Sequence, residues 1–302
     1  MKQVLLLINP KAGQNFGKQK AYDIIERLVL EECEVTVYPI LPKQEITAET
    51  ILTKQMYFDV IVCCGGDGTL THLVGALAKL RKRIPILYIP SGTTNDFART
   101  LRLPNQLDDL IPLINRGKKF VYDIGKLNQS YFNYVAAFGA FTEVSYSTDQ
   151  NFKNTFGYAA YLLQSIISLP NSLNERFHLT IEAEEFKGKG EYIFGAISNT
   201  TSVAGMSSPY LEAASLNDGQ FEVLLVKAPD NLGELVQIAS TLSAGATDNQ
   251  YIHVFHTKHL KIRSTKPFAW TTDGEYGGTY TSVNIKVLNK RSIILVPEDN
   301  PQ

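Results

Sequence analysis

Short apolar runs recur through the first 120 or so positions, at Val4–Ile8, Glu34–Pro39, Val60–Cys64 and Ile86–Ile89. They are continuous rather than alternating, as in strands buried on both faces of a parallel sheet. Between them lie stretches with helical spacing, near Lys18–Leu30, Ile46–Lys54, Leu70–Leu80 and Asn95–Leu101. Strand and helix in strict alternation predict an α/β layer architecture. After Asp123 the texture changes. Strand-like segments at Tyr131–Ala137, Phe177–Ala183, Tyr192–Ser198, Phe221–Val226, Leu260–Ser264, Phe268–Thr272 and Val283–Val287 are separated by Gly, Asn, Asp and Pro. That punctuation predicts an antiparallel sheet or sandwich. Helices are expected around Tyr158–Ser168, before Pro170, and around Leu232–Leu242. The division is therefore an α/β domain over 1–122 and a β-rich domain over 123–302, an α/β + β fold. The final strand, Ser292–Val296, is free to belong to either. A cleft between two such domains is the natural place for a ligand.

Composition narrows the function classes. Thirty acidic residues face 29 basic ones, without the basic surplus of a nucleic-acid binder. The main local exception is Lys79 to Arg83, read either as a cationic helix end or as a patch for anionic lipid. Three cysteines, Cys33, Cys63 and Cys64, cannot all pair, and the last two sit inside an apolar run where a small buried hydrophobe fits. No stretch resembles a signal peptide or reaches the length of a membrane span, which points to a cytoplasmic protein with at most peripheral membrane contact.

The chemistry concentrates in loops. Gly65-Gly66-Asp67-Gly68-Thr69 follows a strand and opens a helix. Glycines let backbone approach a polyphosphate closely, and a helix start offers unpaired N–H groups to an anion. Thr69 adds a hydroxyl. A carboxylate beside phosphate repels it unless a cation intervenes, so Asp67 argues for magnesium. The plainer reading is a tight strand-to-helix turn with Asp67 as a local cap. Asn9-Pro10-Lys11-Ala12-Gly13 forms a turn at another strand's carboxyl end, the usual ligand side of an open α/β sheet. Pro90-Ser91-Gly92-Thr93-Thr94-Asn95-Asp96 follows a third strand, with Asn95 able to cap the next helix. Asp273-Gly274 reads as an ordinary hairpin turn.

Together these strings resemble the bacterial soluble diacylglycerol kinases and related lipid kinases. Gly65–Thr69 is similar to a signature shared with sphingosine, ceramide and NAD kinases, and is not a Walker loop. Asn9–Gly13 resembles the family's Asn-Pro-x-x-Gly element, and Pro90–Arg99 its Pro-x-Gly-Thr-x-Asn-Asp-Phe-Ala-Arg string, which NAD kinases do not carry. Matching segments run in order from Asn9 to Pro297. One departure stands after Leu70, where the family often has Asn-Glu and this chain has Thr71 and His72.

The resemblance implies a three-layer nucleotide-binding domain followed by a β-sandwich. It implies ATP as co-substrate, its phosphates cradled by Asn9, Pro10, Lys11, Ala12, Gly13, Gly65, Gly66, Asp67, Gly68, Thr69, Gly92, Thr93, Asn95 and Asp96. Lys11 and Arg99 would add positive charge. Magnesium would sit among Asp67, Asp96 and Asp123. Glu275 matches the catalytic base, with Asp273 as a supporting carboxylate and Asp123 counted among the catalytic acids. An alcohol needs such a base during attack, because its pKa lies far above neutrality. Ser215, Asp218 and Gln220 match a loop that binds a second, structural metal; a hairpin at Asp218-Gly219 is the competing account. The implied acceptor is a lipid alcohol met at the inner membrane face, foremost diacylglycerol, with a sphingoid base, undecaprenol or phosphatidylglycerol as alternatives. A homodimer would fit the family. An NAD kinase and a non-catalytic nucleotide-binding regulator are the rival classes. The first lacks its expected Asn-Glu pair here, and the second would not keep Asp67, Asp123 and Glu275.

Overall fold

In a computed structural model, the structure describes residues 1–13, 16–54, 57–93, 95–139, 176–199, 202–203, 206–207, 215–243 and 248–300. These fall into two compact units: Met1–Ile124 with Asn289–Gln302, and Gly125–Leu288.

The first unit is built on parallel strands. β1 (Lys2–Ile8) lies between β2 (Cys33–Pro39) and β3 (Val60–Gly65), and β3 pairs in turn with β4 (Ile86–Pro90), all parallel. Helices α1 (Phe16–Leu30), α2 (Ala48–Leu52), α3 (Asp67–Lys79) and α4 (Asp96–Thr100) connect them. Every residue from Val60 to Gly65 is buried, as the continuous apolar runs require. The final strand belongs to this unit, since Ile294 pairs in parallel with Ile86 beyond β4.

The second unit is antiparallel. After β5 (Lys118–Leu127), whose end enters this unit, come β6 (Ser130–Phe132), β7 (Val135–Gly139), β8 (Phe177–Ala183) and β9 (Lys187–Ser198). Two residue pairs, β10 (Ser202–Val203) and β11 (Met206–Ser207), form a small ribbon. Then follow β12 (Phe221–Lys227), a helix over Leu232–Ser243, β13 (Asp248–Asn249), β14 (Ile252–Thr257), β15 (His259–Thr272) and β16 (Glu275–Val296). Both β9 and β15 pair with β8 through one half and with β7 through the other. Trp270, Phe138, Phe132 and Phe221 are fully buried in the core they enclose.

Several boundaries differ from the sequence pattern for physical reasons. The expected strand Tyr131–Ala137 is two strands, broken at Asn133 and Tyr134, whose N–H groups turn to the Asp273 carboxylate. Segments 260–264 and 268–272 are one strand with an irregular register between Arg263 and Phe268. Segments 283–287 and 292–296 likewise join within β16. The helix expected at 46–54 is only Ala48–Leu52, where Thr47 and Thr50 form a capping box. The helix expected over 158–168 lies outside the described residues.

Cys63 and Cys64 are fully buried in β3, and burial pushes the Cys64 thiol up to about 11 and the Cys63 thiol higher still. Thiolate is the reactive form. Both thiols are therefore expected to resist iodoacetamide at pH 8 in the native protein and to react once it is unfolded, as mass spectrometry of alkylated peptides would read.

Candidate active site

Three loops leave the carboxyl ends of β1, β3 and β4, and they are knitted together. Asn9 Nδ2 donates to Thr69 Oγ1 at 2.9 Å, and the Lys11 N–H turns back to Asn9 Oδ1. Gly13 has φ +51°, and a Cβ there would lie 1.8 Å from the Ser91 carbonyl oxygen. A Cβ on Gly92 would lie 2.7 Å from the Gly66 Cα, and one on Gly65 would strike the Thr69 side chain. The Ser91 N–H donates to the Gly65 carbonyl at 2.9 Å. Glycine at these positions is a packing requirement between loops, and it leaves bare backbone facing outward. The first-turn N–H groups of α3, those of Gly68 and Thr69 among them, have no partner within the helix, so this end is suited to an anion.

Asp67 is the tie between two of the loops. Its Oδ2 accepts the Asp96 N–H at 3.0 Å, and its Oδ1 accepts the Phe97 N–H at 3.4 Å. Asp67 thus caps α4 from another loop. The sequence reading gave that task to Asn95, which adopts a left-handed conformation (φ 51°) and makes no capping bond. Asn95 instead closes its own turn, accepting the Gly92 N–H at 2.8 Å and donating to the Gly92 carbonyl at 3.0 Å. The Gly92 N–H is therefore already engaged, and its contribution to the cradle is the missing side chain. Pro10 and Ala12 shape the first loop, with Ala12 N–H on the Asn9 carbonyl, and Lys11, Thr93 and Arg99 are exposed around it.

Beneath the loops lie two residues that pattern reasoning missed. The Tyr88 hydroxyl is fully buried and makes no hydrogen bond of regular geometry, although burial, and after it the nearby Asp67 charge, push its titration upward. The Ser91 hydroxyl is buried and likewise unsatisfied. Tyr88 lies in an apolar run that reads as a plain strand, and Ser91 in the Pro90–Arg99 string, where no role falls to its hydroxyl, so only the fold exposes them.

The acidic residues are arranged differently from the expected cluster. Asp96 and Asp123 are buried, but among the described residues no three His, Cys, Asp or Glu side chains converge to hold a metal ion. Asp123 lies within β5, and its carboxylate accepts the Lys290 N–H. Its β-strand position follows from the apolar alternation of Phe120, Tyr122 and Ile124, which are all buried.

In the second unit, Asp273 (φ 49°) and Gly274 (φ 82°) form the two-residue turn between β15 and β16, and Thr272 pairs with Glu275. The hairpin reading holds. Asp273 is not a free supporting carboxylate, however: it is buried and accepts the N–H groups of Asn133 (2.6 Å), Tyr134 (3.0 Å) and Val135 (2.9 Å). Its role is to anchor the break between β6 and β7. Glu275 opens β16 in an exposed position beside Tyr276, which is 71% exposed.

The loop before β12 brings Asp218 Oδ1 onto the Gln220 N–H at 2.9 Å and Ser215 Oγ onto Asn217. Two residues on, Glu222 is buried with neither carboxylate oxygen hydrogen-bonded. Desolvation, aided by the Asp218 charge, pushes its carboxyl up to about 8. His256 Nε2 stands 3.8 Å away, across the strand pair. The signal for Glu222 was available in the sequence, because it is a lone acid in an apolar run, Phe221 to Val226.

With that geometry in view, likeness to known proteins becomes informative. The sequence model of the diacylglycerol kinase catalytic domain matches residues 3–127. A diacylglycerol kinase from Staphylococcus saprophyticus is 30% identical over 299 residues, covering 99% of this chain and 96% of the relative. One from Staphylococcus carnosus is 30% identical over 305 residues, with 99% and 96% covered. The crystal structure of a diacylglycerol kinase from Bacillus anthracis superposes with a TM-score of 0.74 at 21% identity, over 99% of this chain and 98% of that one, a likeness of fold.

Two outcomes follow from the packing and the burial. Gly92→Ala, which forces the loops apart, is expected to weaken ATP binding by roughly tenfold or more in a nucleotide titration. Gly190→Ala is the control, since its added Cβ would meet only the Tyr192 ring at an ordinary 3.7 Å. Glu222 has a folded pKa of about 8 against an ordinary 4.5, so the stability it allows is complete below pH 4.5 and lost as pH rises through 8. Glu222→Gln should flatten that fall in denaturant titrations made without divalent cations.

Proposed function

Because the chain belongs to the diacylglycerol kinase family, and is an ATP-dependent lipid kinase, we propose that it transfers the γ-phosphoryl group of ATP to the hydroxyl of diacylglycerol, giving phosphatidic acid. The observation that carries this reading is the cradle of bare backbone where Gly13 packs on Ser91 and Gly66 on Gly92. It suits a polyphosphate, because N–H groups can approach it with no Cβ between.

Phosphoryl transfer needs positioning and charge neutralisation more than covalent help. The N–H groups of Gly66, Gly68 and Thr69 hold the phosphates, the Gly13 turn closes one wall, and Lys11 and Arg99 supply positive charge from the exposed rim. Magnesium, when bound with ATP, neutralises charge on the phosphate oxygens. Asp67 would hold it through water, with Asp96 beside it. The buried Tyr88 and Ser91 hydroxyls would be further polar groups near such a site. Asp123, already joined to the Lys290 N–H, contributes through position rather than as part of a carboxylate trio. The Asp218 loop is read as a second cation site, with Glu222 the buried carboxylate whose oxygens lack a hydrogen bond.

Glu275 is the general base. It takes the proton of the lipid hydroxyl as the new O–P bond forms and the bond from the γ-phosphorus to the ADP oxygen breaks. Among the described residues no helix is long and apolar enough to cross a membrane, so an acceptor embedded in lipid is reached from the bilayer surface.

The test is ATP consumption with diacylglycerol micelles, sphingosine, undecaprenol and NAD in parallel, and diacylglycerol is expected to be the best acceptor. Glu275→Gln should lower kcat by about a hundredfold or more with ATP affinity unchanged. A variant that keeps most of its rate removes Glu275 from the role, and turnover with NAD alone removes the lipid reading.

A further inference from the structure

The first unit carries a second concave feature at the far end of its sheet. The nucleotide loops leave the carboxyl ends of β1, β3 and β4. A cavity of about 560 Å³ opens instead where those strands begin. Lys2 and Val60 start β1 and β3, and Pro85 immediately precedes β4. A seven-residue strand such as β1 separates the two ends by on the order of 20 Å. The cavity is therefore distinct from the loops assigned to ATP.

Its lining divides by chemistry. Phe58, Val60 and Leu295 form a buried apolar floor. Lys2, Arg83 and Lys119 bring positive charge, against the single carboxylate of Asp59. That carboxylate is already engaged, with Oδ2 on the Gln3 N–H at 2.8 Å and Oδ1 on the Tyr57 hydroxyl at 3.0 Å. Lys2 donates to the Ile114 carbonyl and the Asn115 side-chain oxygen, both neutral acceptors, and its charge also acts on the Asp59 carboxylate. The side chains of Arg83 and Lys119 make no hydrogen bond or ion pair among the described residues. In the adjacent basic run, Lys79 pairs with Glu49 and Lys82 donates to the Leu52 carbonyl, whereas the exposed Arg81 side chain lies outside the cavity lining. Arg83 and Lys119 thus bring to the cavity lining side chains that nothing else among the described residues holds.

Three cations and one carboxylate leave two net positive charges at the cavity. A phosphate monoester carries about −1.5 to −2 at neutral pH and has three strong acceptor oxygens. Arg83 offers a planar fork and Lys119 a mobile point charge, a combination suited to phosphate. We propose that this cavity is an anion site for a phosphate monoester, with Arg83 and Lys119 as its principal contacts and the apolar floor receiving the group that bears the phosphate. The phosphate can come from a soluble ester or from a lipid head group in the membrane surface, and both present the same chemistry to the cavity.

The full-length protein is first saturated with magnesium and ADP, so that the nucleotide loops are filled. Thermal unfolding is then followed with inorganic phosphate and with glycerol phosphate, against chloride at matched ionic strength. Flotation is measured with phosphatidylcholine vesicles, with and without phosphatidic acid. The monoester is expected to raise the apparent melting temperature by about 2 °C. In the Arg83→Ala/Lys119→Ala protein that rise should vanish, or the half-saturating concentration should increase by roughly tenfold. Arg83→Lys, which keeps the charge, should retain part of the response. A response to the soluble compounds supports the site with a soluble ligand. A charge-variant-sensitive response to phosphatidic-acid vesicles alone supports it with a lipid head group. No response to any probe, or the same response in the wild type and the double variant, overturns the proposal.

Discussion

The catalytic end of the first unit depends on how near Gly66 and Gly92 come to one another. β3 and β4 pair in parallel up to Gly65 and Pro90, so the two chains leave the sheet side by side. A single added carbon on Gly92 would fall 2.7 Å from the Gly66 Cα. That closeness brings the Ser91 N–H onto the Gly65 carbonyl and puts the Asp67 carboxylate within reach of the Asp96 and Phe97 N–H groups. The start of α4 is thereby satisfied by a side chain some thirty positions earlier in the sequence. Removing such a cap costs about 1–2 kcal/mol, and here it would also release one loop from the other.

Much of this was legible in the chain. Buried parallel strands announce themselves as unbroken apolar runs, and those of the first unit fall within a residue or two of their expected limits. The antiparallel unit was harder. Most of its longer strands are legible, but β14 (Ile252–Thr257) carries no clear apolar run, and turn-forming residues inside other strands read as ends. Pro267 lies within β15 and Asn289 within β16, positions that pattern alone treats as punctuation. Ladder pairing across an irregular register overrides local preference there.

At the site, residue types were readable but partners were not. Glycines and an acid after a buried strand indicate a phosphate cradle, whereas whom the acid touches is a long-range fact. Asn95 had the composition of a cap and the wrong backbone conformation to be one. Asp67, Asp96 and Asp123 look alike as three acids in a kinase-like chain, yet two of them show backbone N–H groups on their carboxylates. Tyr88 gave no signal, because a tyrosine in a buried strand is ordinary until its hydroxyl is found without a partner.

The three N–H groups gathered on Asp273 bear on how any set of inactive variants is interpreted. Asp273 is two positions from Glu275, in a string similar to one found in known kinases, and under the proposed mechanism loss of either carboxylate is expected to lower turnover. The causes would differ in kind. Without the Asp273 carboxylate, the Asn133, Tyr134 and Val135 amides lose their acceptor, and the β6–β7 break loses its anchor. Dead enzyme would then be a symptom of misplaced backbone. A survey scored by turnover alone would rank the two acids together and count one anchor as chemistry, while amide exchange at 133–135 would tell them apart.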